Sequence, residues 1–223
     1  MAKIERDRIK KEKLILCEGR DEENFLISWL NSDELSDEPG FSNEIQVLNF
    51  EGNSDLSRQL EKYRKMDGFD NLTHLMIIRD AEHDSDGAVK SIQSALSNNG
   101  FQVPEESYQW ICDNDNDLYI GFLLFPACDK NPTAGTLEDL CLKILAKSDA
   151  STCMEEVNIF LERLEKEHGK NFSHKFKTQL HAYFAVSDDY VGMKIGEAAG
   201  AKAFNWSSSE LEPLKNFFLK MIK

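Results

Sequence analysis

The stretch Thr73-His74-Leu75-Met76-Ile77-Ile78-Arg79-Asp80-Ala81-Glu82 sets four consecutive large apolar residues shortly before an acidic pair. A short, continuous apolar run between polar residues predicts a strand that is buried on both faces, here over residues 73–79. Such strands belong to parallel sheets that are covered by helices on both sides. The stretch therefore predicts a buried strand that ends at Asp80, with acidic side chains directly beyond its carboxyl end.

Three more segments of the sequence have the composition of buried strands. They are residues 13–17 (KLILC), 45–50 (IQVLNF) and 119–125 (YIGFLLF). The first of them ends at Glu18-Gly19, and Pro126 stops the last.

Apolar residues at helical spacing fill the intervals between these strands. The predicted helices are 21–30, 56–66, 86–98, 137–147, 154–167, 175–185, 191–199 and 209–221, with a loop over 31–43 and a capped turn at 52–55. Strands that alternate with helices imply right-handed crossovers. We therefore expect an α/β, Rossmann-like fold with a mainly parallel sheet and helices on both faces. Residues 1–148 would form this core, and residues 149–223 a mostly helical extension packed on the same domain.

The acidic run Asp113-Asn114-Asp115-Asn116-Asp117 resembles the beginning of a calcium-binding loop. Leu118 and Leu124 stand where such a loop needs its glycine and its bidentate glutamate. The run therefore predicts a hairpin or a surface turn.

The chain has 40 Asp and Glu against 26 Lys and Arg, for a net charge of −14. Affinity for a nucleic-acid backbone comes mainly from Lys and Arg, so this balance argues against a broad basic binding surface. It is compatible with a metal site that processes phosphates, because such sites are themselves acidic. The sequence has no Gly-x-x-x-x-Gly-Lys-Ser/Thr phosphate loop, so nothing specific in it supports a small-molecule phosphatase or a nucleotide-binding protein.

The first residues contain only one short apolar run, Leu14–Cys17. A signal peptide needs an apolar stretch of roughly 7–15 residues, so this run is too short for one, and no window of the sequence reaches the roughly 18 apolar residues of a membrane helix. The five cysteines are widely spaced, without a Cys-x-x-Cys pair, and fit reduced thiols. We therefore expect a cytoplasmic chain with no membrane partner.

Acidic residues follow three of the four predicted strands. They are Glu18 after the first strand, Asp80, Glu82 and Asp84 after the third, and Glu138 and Asp139 at the beginning of the helix after the fourth. The carboxyl ends of parallel strands lie at one edge of the sheet, so these groups are expected to gather there. Their mutual repulsion is relieved by a hard divalent cation such as Mg²⁺ or Mn²⁺. A glycine at position 19 permits a tight turn and a close approach of a phosphate.

Each acidic pair also has a purely structural interpretation when it is taken alone. Glu18-Gly19 fits a turn with a solvated carboxylate, and Asp80-x-Glu82 fits a helix N-cap. Glu138-Asp139 fits favourable charges in the first turn of a helix. Their occurrence at successive strand ends, in this order, favours the metal site.

The Glu-Gly pair, the Asp-x-acidic pair and the crossover pattern between them resemble a Toprim domain over residues 13–145. This domain occurs in topoisomerases, bacterial primases, recombination-repair proteins and OLD-family nucleases. The run 135–140 (GTLEDL) resembles a further motif of the OLD-like branch. The whole chain is similar to a family of small stand-alone Toprim-related proteins of uncharacterised function, through Lys177-x-x-x-His181-Ala182-Tyr183 and Phe204-Asn205-Trp206.

The resemblance implies roles for the acidic residues. Glu18 would be a metal ligand or a general acid-base, and Asp80 the first metal ligand of the acidic pair. Glu82 stands where the family usually has aspartate, so the metal would sit differently or bind more weakly, with Asp84 as a supplementary ligand. Glu138 and Asp139 would supply a second metal site.

The resemblance also implies roles on the substrate side. Lys177 or Lys175 would supply a cation for the transition-state phosphate, and Gly19 and Arg20 would contact the substrate. Two metals together would activate a water and stabilise the leaving oxygen of a phosphodiester.

Two functions follow as hypotheses. The first is a Mg²⁺-dependent nuclease, or a nuclease subunit, that holds nucleic acid weakly when alone. The second is a catalytically weak or inactive Toprim-scaffold interaction module with a protein partner in a multi-protein system. The second is motivated by the net charge, by Glu82, and by the lack of the ATPase domain that OLD nucleases carry.

Overall fold

Five strands form one sheet in the computed structural model, which describes residues 8–36, 41–50 and 56–222. The strands are β1 (Lys13–Cys17), β2 (Ile45–Asn49), β3 (His74–Asp80), β4 (Trp110–Asp113) and β5 (Leu118–Phe125). Their order across the sheet is β2-β1-β3-β5-β4. All neighbouring pairs are parallel except β4 and β5, which form an antiparallel hairpin. The predicted Rossmann-like α/β fold is therefore confirmed.

Helices connect the strands and follow the last one. They are α1 (Arg20–Leu30), α2 (Asp33–Ser36), α3 (Phe41–Glu44), α4 (Leu56–Arg64), α5 (Ser85–Asn98), α6 (Leu137–Ala146), α7 (Ser151–His168), α8 (Lys175–Val186), α9 (Ile195–Gly200) and α10 (Glu212–Ile222). Short 3₁₀ turns occupy Phe69–Asn71 and Ser209–Leu211. The predicted turn at 52–55 lies outside the described residues.

The structure differs from the sequence predictions in three elements. The predicted loop 31–43 contains the single-turn helix α2 and most of α3. The helix predicted over 191–199 begins only at Ile195, since Gly192 has a φ of +75° that no helix accommodates. Strand β4 was not predicted, although a hairpin or surface turn was predicted at 113–117. Three of the four residues of β4 are only partly buried or are exposed, so the strand lacks the apolar pattern of a central strand.

Alternation along the central strands distributes the core between two layers. Ile15, Cys17, Met76 and Ile78 face a layer formed by α1 and by α6 to α10. Leu14, Leu16, Leu75 and Ile77 face the other layer, which is formed by α4 and α5. Both faces of the sheet are therefore covered by helices and shielded from water, which is the physical reason for the continuous apolar runs in the strand sequences.

The chain leaves β1 and β3 in opposite directions. The connection after β1 runs through α1 on one face to β2, and the connection after β3 runs through α5 on the other face towards β4 and β5. A crevice opens beyond the carboxyl ends of two adjacent strands at such a switch point, and ligands of open α/β sheets bind there.

The helices that follow the sheet reach this crevice through α9. A Cβ atom at Gly196 would lie 2.6 Å from Cβ of Asn24, so the glycine permits α9 to pack closely on α1. The Asp21 carboxylate accepts a hydrogen bond from the backbone N–H of Gly196 at 3.0 Å. Among the described residues, the helices are too short or too polar to cross a bilayer.

Candidate functional site

A cleft of about 680 Å³ lies beyond the carboxyl ends of β1 and β3. Its walls come from the β1–α1 connection, the β3–α5 connection, residues 134–139 at the beginning of α6, residues 172–177 leading into α8, and the first turn of α9. The volume falls in the range of about 300–1,000 Å³ that is usual for ligand sites. The cleft therefore occupies the position predicted for the acidic strand ends.

Asp80 lies at the back of this cleft, as the last residue of β3. Its side chain is almost fully buried and faces the same layer as Ile78, which brings it against the beginning of α6. The Oδ1 atom accepts a hydrogen bond from the backbone N–H of Leu137 at 2.9 Å. Asp80 thus satisfies one of the free N–H groups of the helix N-terminus.

Three further carboxylates act on Asp80. Burial is the main cause that raises the pKa of Asp80 to about 9, and the charges of Glu22, Glu138 and Glu18 add to it. Burial likewise raises the pKa of Glu22 to about 7, with contributions from Glu18, Asp21 and Glu138. We call Glu18, Glu22, Asp80 and Glu138 the carboxylate cluster. Without a counter-ion, Asp80 therefore retains its proton at neutral pH.

Glu18 is the least satisfied member of the cluster. Its Oε2 atom is buried and accepts no hydrogen bond, while Nε of Arg79 lies 3.5 Å away. Burial raises the pKa of Glu18, and Glu82 raises it further, whereas Arg79 and the backbone N–H of Asp80 act in the opposite direction. Arg79 is therefore the cation that partly compensates this buried carboxylate.

Glu22 was not among the predicted site residues. It lies in the first turn of α1, directly after the Glu18-Gly19 turn, and its carboxylate folds back over Gly19. A Cβ atom at Gly19 would lie 2.7 Å from Oε2 of Glu22. The signal that could have identified it is its position in the first turn of a helix that begins at the site edge of the sheet.

Three predicted ligands take other roles in the structure. The exposed Glu82 lines the cleft, and its backbone pairs with that of Gly135 through hydrogen bonds of 2.9 and 2.7 Å. Asp84 caps α5, where Oδ1 accepts from the backbone N–H of Gly87 at 2.9 Å. Asp139 lines the cleft but caps α6, where Oδ2 accepts from the backbone N–H of Thr136 at 2.8 Å. Metal ligation by these three residues stays a prediction.

Basic side chains lie across the cleft from the carboxylate cluster. Lys177 Nζ is 3.4 Å from Oε1 of Glu138, whereas Lys175 Nζ is 2.7 Å from Oε2 of Glu165. Of the two predicted lysines, Lys177 is therefore the one paired with the cluster. Arg20 and Lys194 are exposed and complete the basic part of the lining.

The chemistry of the cluster fits a hard divalent cation. All its donors are carboxylate oxygens, which Mg²⁺ and Mn²⁺ prefer. Of its four members, Glu22, Asp80 and Glu138 line the cleft, whereas Glu18 lies behind it, beside Arg79. Within the part of the chain that the structure describes, no three His, Cys, Asp or Glu side chains already form a closed ligand group. Cation binding at this site therefore requires the glutamate side chains to rotate.

Two solved structures of the C-terminal region of the Xanthomonas campestris pv. campestris OLD protein are similar to this chain. The first structure is 13% identical in sequence, and the alignment covers 95% of this chain and 96% of the other chain. The second is 12% identical, and the alignment covers 95% of this chain and 94% of the other chain. The TM-score is 0.43 in both comparisons. Among curated proteins, no match is found. Residues 12–223 match the model of the family described as Protein of unknown function (DUF3226), and the chain belongs to that family.

Proposed function

We propose that this protein is a divalent-metal-dependent phosphoryl-transfer enzyme that cleaves nucleic acid, as a Toprim-type nuclease or nuclease subunit. The observation that carries the proposal is the carboxylate cluster, which gathers acids from the ends of β1 and β3 and from the beginnings of α1 and α6 opposite Lys177. Its acids follow strands in the order that the Toprim resemblance requires.

Glu18, Asp80 and Glu138 are the ligands we assign, with Glu22 as a fourth carboxylate that holds a ligand or a water. A bound Mg²⁺ or Mn²⁺ would stabilise the negative charge that develops on the phosphate oxygens during transfer. The helix N-terminus that Asp80 caps keeps this side chain fixed.

Lys177 is the residue we assign to the substrate phosphate. It is more than half exposed, and its ion pair with Glu138 is long enough to be exchanged for a phosphate contact. Arg20 and Lys194 at the rim would contact adjacent phosphates. These few basic groups can hold a short segment of nucleic-acid backbone, which is compatible with the net charge of −14 of the whole chain.

The proposal is tested by metal binding and by cleavage. Isothermal titration of Mn²⁺ and Mg²⁺ into wild type, Asp80→Asn and the matched control Asp86→Asn would show whether Asp80 is a ligand. Asp86 is an exposed residue in the first turn of α5 and is a carboxylate of the same kind outside the cleft. End-labelled single- and double-stranded DNA and RNA are then incubated with each protein and with EDTA controls.

We expect Mn²⁺ binding and cleavage in wild type and Asp86→Asn, and neither in Asp80→Asn. Equal cleavage by folded Asp80→Asn would refute the assignment. Metal binding that depends on Asp80 but supports no cleavage of any probe would favour the interaction module instead.

A further inference from the structure

Phe176 exposes a large aromatic ring in the wall of the cleft. It lies in the first turn of α8 between Lys175 and Lys177, and 51% of its surface is accessible. Most other phenylalanines in the described residues are buried in the two core layers. Among the exposed large apolar residues that the structure describes, Phe176 is the one that lines the cleft.

The surroundings of the ring indicate what kind of ligand would cover it. One neighbour, Lys177, pairs with Glu138 of the carboxylate cluster, so the ring lies close to the place assigned to the scissile phosphate. A nucleotide combines a flat base with a phosphate, and bases stack on exposed aromatic side chains irrespective of their sequence. A purely acidic ligand would make no use of the ring, and a purely apolar one would make no use of the lysines.

We propose that Phe176 is a stacking platform for a nucleobase, and that the cleft therefore selects single-stranded or frayed nucleic acid over the interior of a duplex. This inference rests on the proposed function, whose substrate class it narrows. Inside a duplex, neighbouring base pairs cover both faces of every base, so the ring can stack only on an unpaired base. A cleft of about 680 Å³ accommodates a nucleotide with its phosphate.

The test measures binding separately from cleavage. Fluorescence anisotropy compares a 5′-labelled oligothymidylate, the same strand with abasic sites, and a blunt duplex, with Ca²⁺ replacing Mg²⁺ to slow turnover. The proteins are wild type, Phe176→Ala, Phe176→Trp and the control Phe160→Ala. Phe160 is similarly exposed, at 46%, but lies on α7 and does not line the cleft.

We expect Phe176→Ala to bind the oligothymidylate about 5- to 100-fold more weakly, because stacking contributes about 1–3 kcal/mol per base. Phe176→Trp keeps the affinity, and Phe160→Ala is unchanged. The abasic strand binds wild type and Phe176→Ala equally weakly. Phe176→Ala that binds the oligothymidylate as wild type does would overturn the proposal, as would wild type that prefers the blunt duplex.

Failure of this inference is distinguishable from failure of the proposed function. If Asp80→Asn loses metal binding and cleavage while Phe176→Ala binds the strand as wild type does, the proposed nuclease function is supported and the stacking role of Phe176 is refuted. If neither metal nor cleavage is found, Phe176-dependent strand binding still supports the platform.

Discussion

The carboxylate of Asp80 accepts a hydrogen bond from the backbone N–H of Leu137 at 2.9 Å, which joins the end of β3 to the first turn of α6. The bond crosses 57 residues of sequence and fixes the next residue of α6, Glu138, beside Asp80. One backbone contact therefore couples two of the proposed metal ligands. The same bond lowers the pKa of Asp80, because the helix N-terminus favours the charged carboxylate, but burial and the neighbouring carboxylates raise that pKa by more.

Replacement of Asp80 by asparagine is expected to stabilise the metal-free protein. Asparagine keeps an Oδ1 acceptor for Leu137 and needs no proton, whereas the buried Asp80, with its pKa of about 9, must take up a proton when the chain folds at pH 8. We expect a gain of about 1–2 kcal/mol in the free energy of unfolding near pH 8, which is typical for relief of a strained functional site. Urea unfolding in EDTA measures it, with Asp86→Asn as the surface control. A less stable Asp80→Asn would contradict this cost of protonation on folding.

The metal-free protein is expected to lose stability as the pH rises. The pKa of Asp80 rises on folding from 3.8 to about 9, and that of Glu22 from 4.5 to about 7. Between these values the folded chain binds more protons than the unfolded chain, so the free energy of unfolding falls with pH. The decline runs from about pH 4 to about pH 9 and is shallower in Asp80→Asn. Urea unfolding across that pH range, with and without Mn²⁺, measures how the free energy of unfolding changes with pH. If wild type and Asp80→Asn lost stability with the same slope, the raised pKa inferred for Asp80 would be contradicted.

Gly19→Ala is expected to weaken metal binding without unfolding the protein. The backbone of Gly19 is extended, with φ of −134° and ψ of −176°, a conformation that any residue can adopt. The new Cβ atom would lie only 2.7 Å from Oε2 of Glu22, so the carboxylate of Glu22 would have to move away. We expect about a tenfold loss of Mn²⁺ affinity, as for other residues that orient metal ligands. Titration calorimetry measures the loss. Gly200→Ala is the matched control, because its Cβ atom would meet nothing closer than Ser28 Oγ at 4.0 Å.

Lys177→Met is expected to lower kcat while metal affinity is retained. The variant removes the charge next to the phosphate but leaves the carboxylate ligands in place, so about a hundredfold loss in kcat is expected. Lys175→Met serves as the comparison, since Lys175 is engaged with Glu165. Single-turnover cleavage gives the rates. Equal losses in both variants would show that the two lysines contribute only a general positive charge.

Asp84→Ala is expected to affect stability rather than metal binding. Its carboxylate caps α5 through the backbone N–H of Gly87, and loss of such a cap costs about 0.5–2 kcal/mol. Asp84→Asn keeps an acceptor and should lie close to wild type. Thermal unfolding and Mn²⁺ titration of both variants separate the two roles, and a loss of Mn²⁺ affinity in Asp84→Asn would restore Asp84 as a ligand.

The sequence predicted the central part of the fold because its strands are buried on both faces. The apolar runs around Ile15, Met76 and Phe122 cannot be solvated on either side, so they imply a parallel sheet between two helical layers. Strand β4 was not predicted because it is not buried on both faces. It lies at the sheet edge with little burial, and only its pairing with β5 makes it a strand.

The sequence by itself determined that acidic residues follow three strands and that these strand ends meet at one edge. Only the tertiary structure decided which carboxylates lie together. Glu22 joins the cluster and Asp84 turns away to cap α5, because the directions of α1 and α5 at the strand ends orient their first turns. The packing of α9 on α1 and the bond from Asp80 to the beginning of α6 complete the cluster, and both are contacts between residues far apart in the chain.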